Sequence, residues 1–328
     1  MKKISTPKFR FFLVEKLTLV YIFVSSVIIL SLSRFNSIYP LMMHRFIIMS
    51  VILFLVYLNS ILNWKSIKIL RNLFIGILIV FWYPETFDIN RFISNHDYLL
   101  ANWDQMLFGF QPAFLFCQLF TWHWFSELMY IGYFFYYLLI VGSIAYIYFS
   151  HREYFEYFFF TILFSFFVYY LVFIIFPTAG PQYYYSAIGI QNIKSGVFPE
   201  IGNYFNHNPA LIPFHTEHGF FVDLVESVQK FGERPTAAFP SSHVGISTLI
   251  LLLLIRGRHY SAFTITFPLY LILVFATIYI QAHYVVDVIG GILSAFILYL
   301  ISPATFKLFM LNHPKKEEKV FINENDKR

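Results

Sequence analysis

Six stretches of the chain, residues 12–32, 46–62, 125–149, 158–176, 264–280 and 284–301, are predominantly apolar over 17 residues or more. A run of that length, coiled as a helix, matches the roughly 30 Å hydrocarbon core of a bilayer. In lipid every backbone N–H and C=O must be satisfied inside the segment, so these runs dictate helices. Two further runs, 73–83 and 244–255, are short unless each helix begins earlier, the first near Ile67 and the second inside a polar motif. Counting both gives eight spans with the two termini on one side. The expected fold class is therefore all-α, a polytopic membrane helix bundle of about eight spans.

The charges test that count. Lys2, Lys3, Lys8 and Arg10 precede the first span, Lys65, Lys68 and Arg71 follow the second, Arg152, Arg256 and Arg258 lie in short connections, and Lys315, Lys316 and Lys319 end the chain. With eight spans all of these fall on one face, the cytoplasmic one by the positive-inside rule. The other face carries fewer: Arg34, Arg45, Arg91, Lys194, Lys230 and Arg234. Removing the 73–83 span would place the N-terminal cluster and Arg256/Arg258 on opposite faces. The net charge of +5 is thus a topology signal, and with 58% hydrophobic and only 12% charged residues the chain points to no nucleic-acid partner. The first apolar run is too long for a signal peptide and reads as an uncleaved anchor. The single Cys117 has no cysteine partner and no metal-ligand spacing, and reads as a small apolar residue.

Two segments lie outside the spans. Residues 84–124 mix aromatics with Asp88, Asp97 and Asp104, which suits a helix lying in the membrane interface, and residues 177–240 are the longest polar stretch. The run Tyr183, Tyr184, Tyr185 reads as part of an interfacial aromatic belt. His207, His215, Glu217, His218 and Asp223 have a spacing that matches no familiar ligand pattern, so no metal and no cofactor is expected.

Chemistry concentrates in two places. In "QAHYVVDVIGG" (281–291), His283 and Asp287 are four apart. On a helix they face the same way one turn apart, so the carboxylate can orient the ring and leave its other nitrogen nucleophilic. In "RPTAAFPSSHVG" (234–245), His243 follows Ser241 and Ser242, with Arg234 upstream. The eight-span count brings both motifs to the non-cytoplasmic face, at the starts of the sixth and eighth spans. Two histidines there, with Arg234, Ser241 and Ser242 as hydrogen-bond donors, suit a phosphoryl group and its developing charge. A transporter or scaffold has no need of such a His/Asp turn facing a second histidine.

Arg-Pro, then Pro-Ser-x-His, then His-x-x-x-Asp near the start of the last span resembles the type 2 phosphatidic acid phosphatase superfamily, which includes vanadium haloperoxidases and lipid phosphatases. Within it, "FPSSH" and "HYVVDVIGG" look more like the inositol phosphorylceramide synthases and related lipid phosphotransferases. The likeness extends to "FPTAGP" (176–181), "ELMYIGYFFYY" (127–137) and "DQMLFGFQP" (104–112). It implies a six-helix core, with residues 1–66 as two added N-terminal membrane helices, 67–302 as the catalytic domain and 303–328 as a charged cytoplasmic tail. It implies that His283 attacks phosphorus to give a phosphohistidine, Asp287 holds its tautomer, and His243 protonates the leaving alkoxide and then deprotonates the acceptor. Arg234, Ser241, Ser242, Gly180 and Pro181 would bind substrate. A phospholipid donor and a lipid acceptor would be the partners, with phosphoinositol and ceramide the pair implied, at the bacterial inner membrane if the source is bacterial.

Two departures shape the expectation. The phosphatases carry a Lys seven residues before Arg-Pro, in a motif lying well upstream of Pro-Ser-x-His. Here Ser227 holds the Lys position and Arg-Pro abuts the second motif. An Arg usual six residues before the nucleophilic histidine is Thr277. A site with fewer cations suits a phosphodiester, with one negative charge, better than a monoester with about two. That favours transfer over hydrolysis, with a lipid phosphate phosphatase as the alternative. The topology has a direct check: a cysteine introduced beside Gly202 is expected to react with an impermeant thiol reagent from the non-cytoplasmic side. Labelling only after the inner leaflet is opened would overturn the assignment.

Overall fold

The computed structural model describes residues 9–32, 35–211 and 219–311. Among these the chain is all-helical. In order the helices are α1 (Leu13–Leu32), α2 (Phe35–Leu62), α3 (Lys65–Asn90), α4 (Asp97–Phe108), α5 (Pro112–Leu119), α6 (His123–Ser150) and α7 (Arg152–Ile175). They continue as α8 (Pro181–Ile188), α9 (Ile190–Ser195), α10 (Phe220–Gly232), α11 (Ser242–Arg256), α12 (Tyr260–Tyr279) and α13 (Val285–Met310). Seven of them, α1, α2, α3, α6, α7, α12 and α13, are long and apolar enough to cross a membrane. The chain is an integral membrane protein.

The eighth apolar helix, α11, has 15 residues and begins at Ser242, inside the polar motif. It packs against α6, α7, α12 and α13, and Val244, Ile246, Leu249, Ile250 and Leu253 are all completely buried. Its surroundings are protein, so the bilayer thickness sets no minimum for its length. Around it the α7 face Phe158–Phe173 supplies most of the aromatic core.

The 73–83 run belongs to a helix of 26 residues. It reads short because charges at both ends are helical and paired inside the protein. Near one end of α3, Arg71 is 1% exposed and grips Glu15 of α1 through Nε and Nη2 at 2.7 and 2.5 Å, with its guanidinium over the Phe12 ring. Near the other, Glu85 meets Arg45 of α2 at 3.0 and 3.1 Å, and Arg45 Nε also donates to Ser25 of α1. Buried charges persist only when paired and hydrogen-bonded in this way. The last helix likewise outruns its apolar stretch. It continues past Pro303 to Met310 because Phe306 packs edge-on to Tyr157 and Phe160 of α7. The tail from 312 onward lies outside the described residues.

The expected interfacial helix over 84–124 divides differently. Its first residues end α3 and the rest form the short helices α4 and α5. Asp97 and Asp104 are fully buried, so these two carboxylates face the protein. The three tyrosines are also turned inward: Tyr184 and Tyr185 are fully buried, donating to the Pro199 carbonyl (2.7 Å) and to Gln111 Oε1 (2.8 Å), and form no surface belt. The reason is that α8 packs on α4 and α9, so Tyr184 and Tyr185 join a core with Leu100, Phe114 and Tyr284 and each hydroxyl finds a protein acceptor. Cys117 is buried, with Sγ donating to the Phe114 carbonyl.

Candidate active site

The two histidine motifs meet because α11 and α13 cross at glycine. A Cβ on Gly291 would lie 2.6 Å from the Ser241 carbonyl oxygen, and one on Gly245 would run into the Tyr169 hydroxyl. A Cβ on Gly290 would strike the Phe239 ring at 2.8 Å. The pair "GG" of the second motif therefore lets the first motif's backbone pack directly on α13. There Ser241 N donates to the Asp287 carbonyl (3.0 Å).

At this crossing His283 Nε2 lies 3.3 Å from His243 Nδ1, a hydrogen bond whose direction depends on which ring carries the proton. His283 Nδ1 is 3.4 Å from Asp287 Oδ2, within ion-pair range but not aligned as a hydrogen bond. Asp287 Oδ2 also accepts from Tyr284 N (2.9 Å) at the start of α13. A proton on Nδ1 would face the carboxylate, and Nε2 is the nitrogen turned toward His243. Burial pulls His283 down to about 4, outweighing the negative charge of Glu233 and a backbone bond to Ala238, which both raise it. It is therefore neutral in the physiological range. Tyr133 stacks on the His243 ring at 4.6 Å between centroids, and Tyr136 tilts against it at 4.3 Å. The upstream "ELMYIGYFFYY" segment is thus one wall of the site.

A cavity opens on both histidines, walled also by Arg234, Glu233, Tyr133, Gln182 and residues 236–238. Among the described residues Arg234 is the Lys or Arg in that wall. Ser227 is exposed on α10 and bonds the Asp223 carbonyl, while Thr277 is buried, its carbonyl accepting the His283 backbone N–H. Neither position places a cation at the site. Ser241 is the N-cap of α11, its side chain accepting from Val244 N. Ser242 is buried in the helix's first turn, Gly180 caps α8 and Pro181 begins it. These four hold the scaffold, and the wall is made instead by their neighbours Ala179 and Gln182. His207 is exposed, and His215, Glu217 and His218 lie outside the described residues. Among the described residues no three His, Cys, Asp or Glu side chains converge on a metal position.

The "FPTAGP" turn braces both histidine loops. Thr178 takes the Ala238 N–H on its carbonyl and the Phe239 N–H on its hydroxyl, and Gln182 N donates to the Gln281 carbonyl. Gly180, at φ 88, could not carry a side chain, since its Cβ would lie 2.5 Å from the Ala282 oxygen. The loops held this way are strained, with Ala237 at φ 71 and Gln281 at φ 62.

Sequence reasoning passed over three acids here. Asp97 accepts from the backbone N–H groups of Ala179 (2.5 Å) and Gly180 (2.8 Å). Asp104 accepts from Val285 N and Val286 N, both at 3.0 Å, capping α13 beside His283. Their seven-residue spacing, two turns of one helix face, was the available signal. Glu233, which takes Tyr133 Oη–H on Oε1 (2.8 Å) and Gln182 Nε2–H on Oε2 (2.9 Å), carried none.

Burial raises Asp104 to about 6, against the two N–H groups and aided by the charge of Asp287. Its cap is therefore intact above that pH and weakens as pH falls through it. Activity is expected to drop through about pH 6, and Asp104→Asn to lower it about fivefold, the worth of ~1 kcal/mol of capping. In that variant the acid limb should move down toward the His283 value. An unshifted limb in a pH–rate profile would count against this role for Asp104.

No curated protein and no solved structure matches the chain. A family model described as the PAP2 superfamily matches residues 99–301, which includes most of α4, both histidine loops and most of α13. With well over half of its length matched, including Arg234, His243, His283 and Asp287, the chain belongs to the PAP2 superfamily.

Proposed function

We propose that the protein is a lipid phosphotransferase that moves a phospho-headgroup from a glycerophospholipid to a lipid hydroxyl through a phosphohistidine on His283. The observation that carries this reading is the His283/His243 contact, backed by Asp287, in a cavity whose wall holds one guanidinium. Phosphoinositol as headgroup and ceramide as acceptor follow from the likeness of "FPSSH" and "HYVVDVIGG" to inositol phosphorylceramide synthases.

A phosphodiester entering the cavity takes the place of the direct contact between the rings. His283 Nε2 bonds to phosphorus as the bond to the diacylglycerol oxygen breaks, and His243, entering the step as the imidazolium beside the anionic substrate, gives that oxygen its proton and becomes neutral. Asp287 holds the Nδ1 proton and balances the positive charge that the ring acquires. Arg234 pairs with the non-bridging oxygens. His243, now basic, removes the acceptor's hydroxyl proton as the oxygen attacks phosphorus and frees His283. Water in the acceptor's place gives hydrolysis. The non-cytoplasmic location of the site rests on the basic-residue asymmetry.

Purified protein given labelled phosphatidylinositol, with and without ceramide, is expected to form a ceramide-linked product; release of inositol phosphate alone would mean hydrolysis in place of transfer, and turnover of phosphatidate but not of phosphatidylinositol would favour the phosphatase. His283→Ala should abolish the covalent intermediate and Asp287→Asn should slow its formation. His243→Ala should cost ~100- to 10,000-fold in turnover, yet still form the intermediate from a nitrophenyl phosphodiester, whose leaving group needs little protonation. A phospho-group trapped on His243, or on no histidine in a rapid quench, would refute the assignment. Activity should also survive chelation, and its loss to EDTA with rescue by one metal would require a different mechanism.

A further inference from the structure

Glu233 is a carboxylate in the wall of a phosphate-handling cavity. It ends α10 one residue before Arg234, its backbone N–H bonded to the Gln229 carbonyl. Both side-chain oxygens accept hydrogen bonds, from Tyr133 and Gln182, and these bonds with the nearby His283 favour the ionised group against the burial that pushes its pKa up. Arg234 donates through Nη1 to the backbone carbonyl of Glu233 (2.8 Å), and among the described residues no ion pair joins it to the Glu233 carboxylate. The carboxyl group is therefore fixed in the cavity wall beside Arg234.

We propose that Glu233 is a specificity residue that sets the charge of the phosphoryl group the site accepts, excluding dianionic phosphomonoesters and admitting monoanionic phosphodiesters. This rests on the reading of the His243/His283 cavity as a phosphoryl-transfer site. A phosphodiester brings one negative charge, which Arg234 balances. A monoester brings about two, and the second meets the Glu233 carboxylate within the same small cavity. One unit charge a few ångströms from another in a partly desolvated site is worth tenfold or more in binding. Tyr133 sits at the junction, since its ring stacks on His243 while its hydroxyl fixes Glu233. The acid is thereby held in register with the chemistry.

The test compares kcat/KM for a nitrophenyl phosphomonoester and for an alkyl nitrophenyl phosphodiester, in detergent-purified wild type and Glu233→Gln, above pH 7 where the monoester is dianionic. The diester-to-monoester ratio is expected to fall at least tenfold in Glu233→Gln. Glu233→Asp, which keeps the charge, should stay near the wild-type ratio. Because a glutamine amide would face Gln182 Nε2, Glu233→Ala is run beside it, and a folded Glu233→Ala protein is expected to show the same fall. A ratio unchanged in the variants that turn over, or loss of both activities in parallel, overturns the proposal and leaves Glu233 a structural residue. Failure of the phosphoryl-transfer reading looks different: wild type would turn over neither substrate and trap no phosphohistidine.

Discussion

The site depends on one backbone contact, the approach of the first turn of α11 to the first turns of α13. Ser241 N donates to the Asp287 carbonyl, and the glycines at 245 and 291 remove the side chains that would hold the helices apart. That contact fixes the separation of His243 and His283, because each histidine sits within a few residues of it. Neither histidine could be placed by its own loop. Both loops contain left-handed non-glycine residues, a conformation that persists only where surrounding structure imposes it.

The imposition comes from buried carboxylates acting at a distance. Asp97 holds the "TAGP" backbone, which in turn holds the loops of both histidines, while Asp104 caps α13. Both acids project from α4, so a single short helix ties the start of α13 to the turn before α8. Polar backbone that cannot reach water must find protein acceptors, and charged ones are the strongest available. The same logic at the other side of the bundle gives the Arg71–Glu15 and Arg45–Glu85 pairs that fasten α1 and α2 to α3. These N-terminal helices lie outside the family match, and their attachment is ionic as much as apolar.

The cavity also explains why two absent cations leave the site coherent. Where relatives' motifs place basic residues, this chain has Ser227 on the outer face of α10 and Thr277 as a backbone acceptor for the His283 loop. The remaining guanidinium works beside a carboxylate instead of beside other cations. One cation and one acid therefore share the wall of the cavity.

The all-helical fold, the integral membrane placement and six of the seven long apolar helices were readable from apolar run lengths, since lipid leaves the backbone no other way to satisfy itself, and the seventh, α3, from the basic-residue asymmetry. The His283/Asp287 relation was readable too, because four residues on a helix is one turn whatever the surroundings. What the sequence withheld was everything set by packing across elements. It understated α3, whose polar ends are neutralised by residues 40 and 56 positions away. It put Asp97, Asp104 and Tyr184 at the surface, since their type alone predicts water when no partner is known. It gave Glu233 no meaning at all. A residue's neighbours in the chain are fixed by sequence, but the hydrogen-bond partners that turn a polar side chain inward are assembled only when distant segments fold together, and that assembly decided the site.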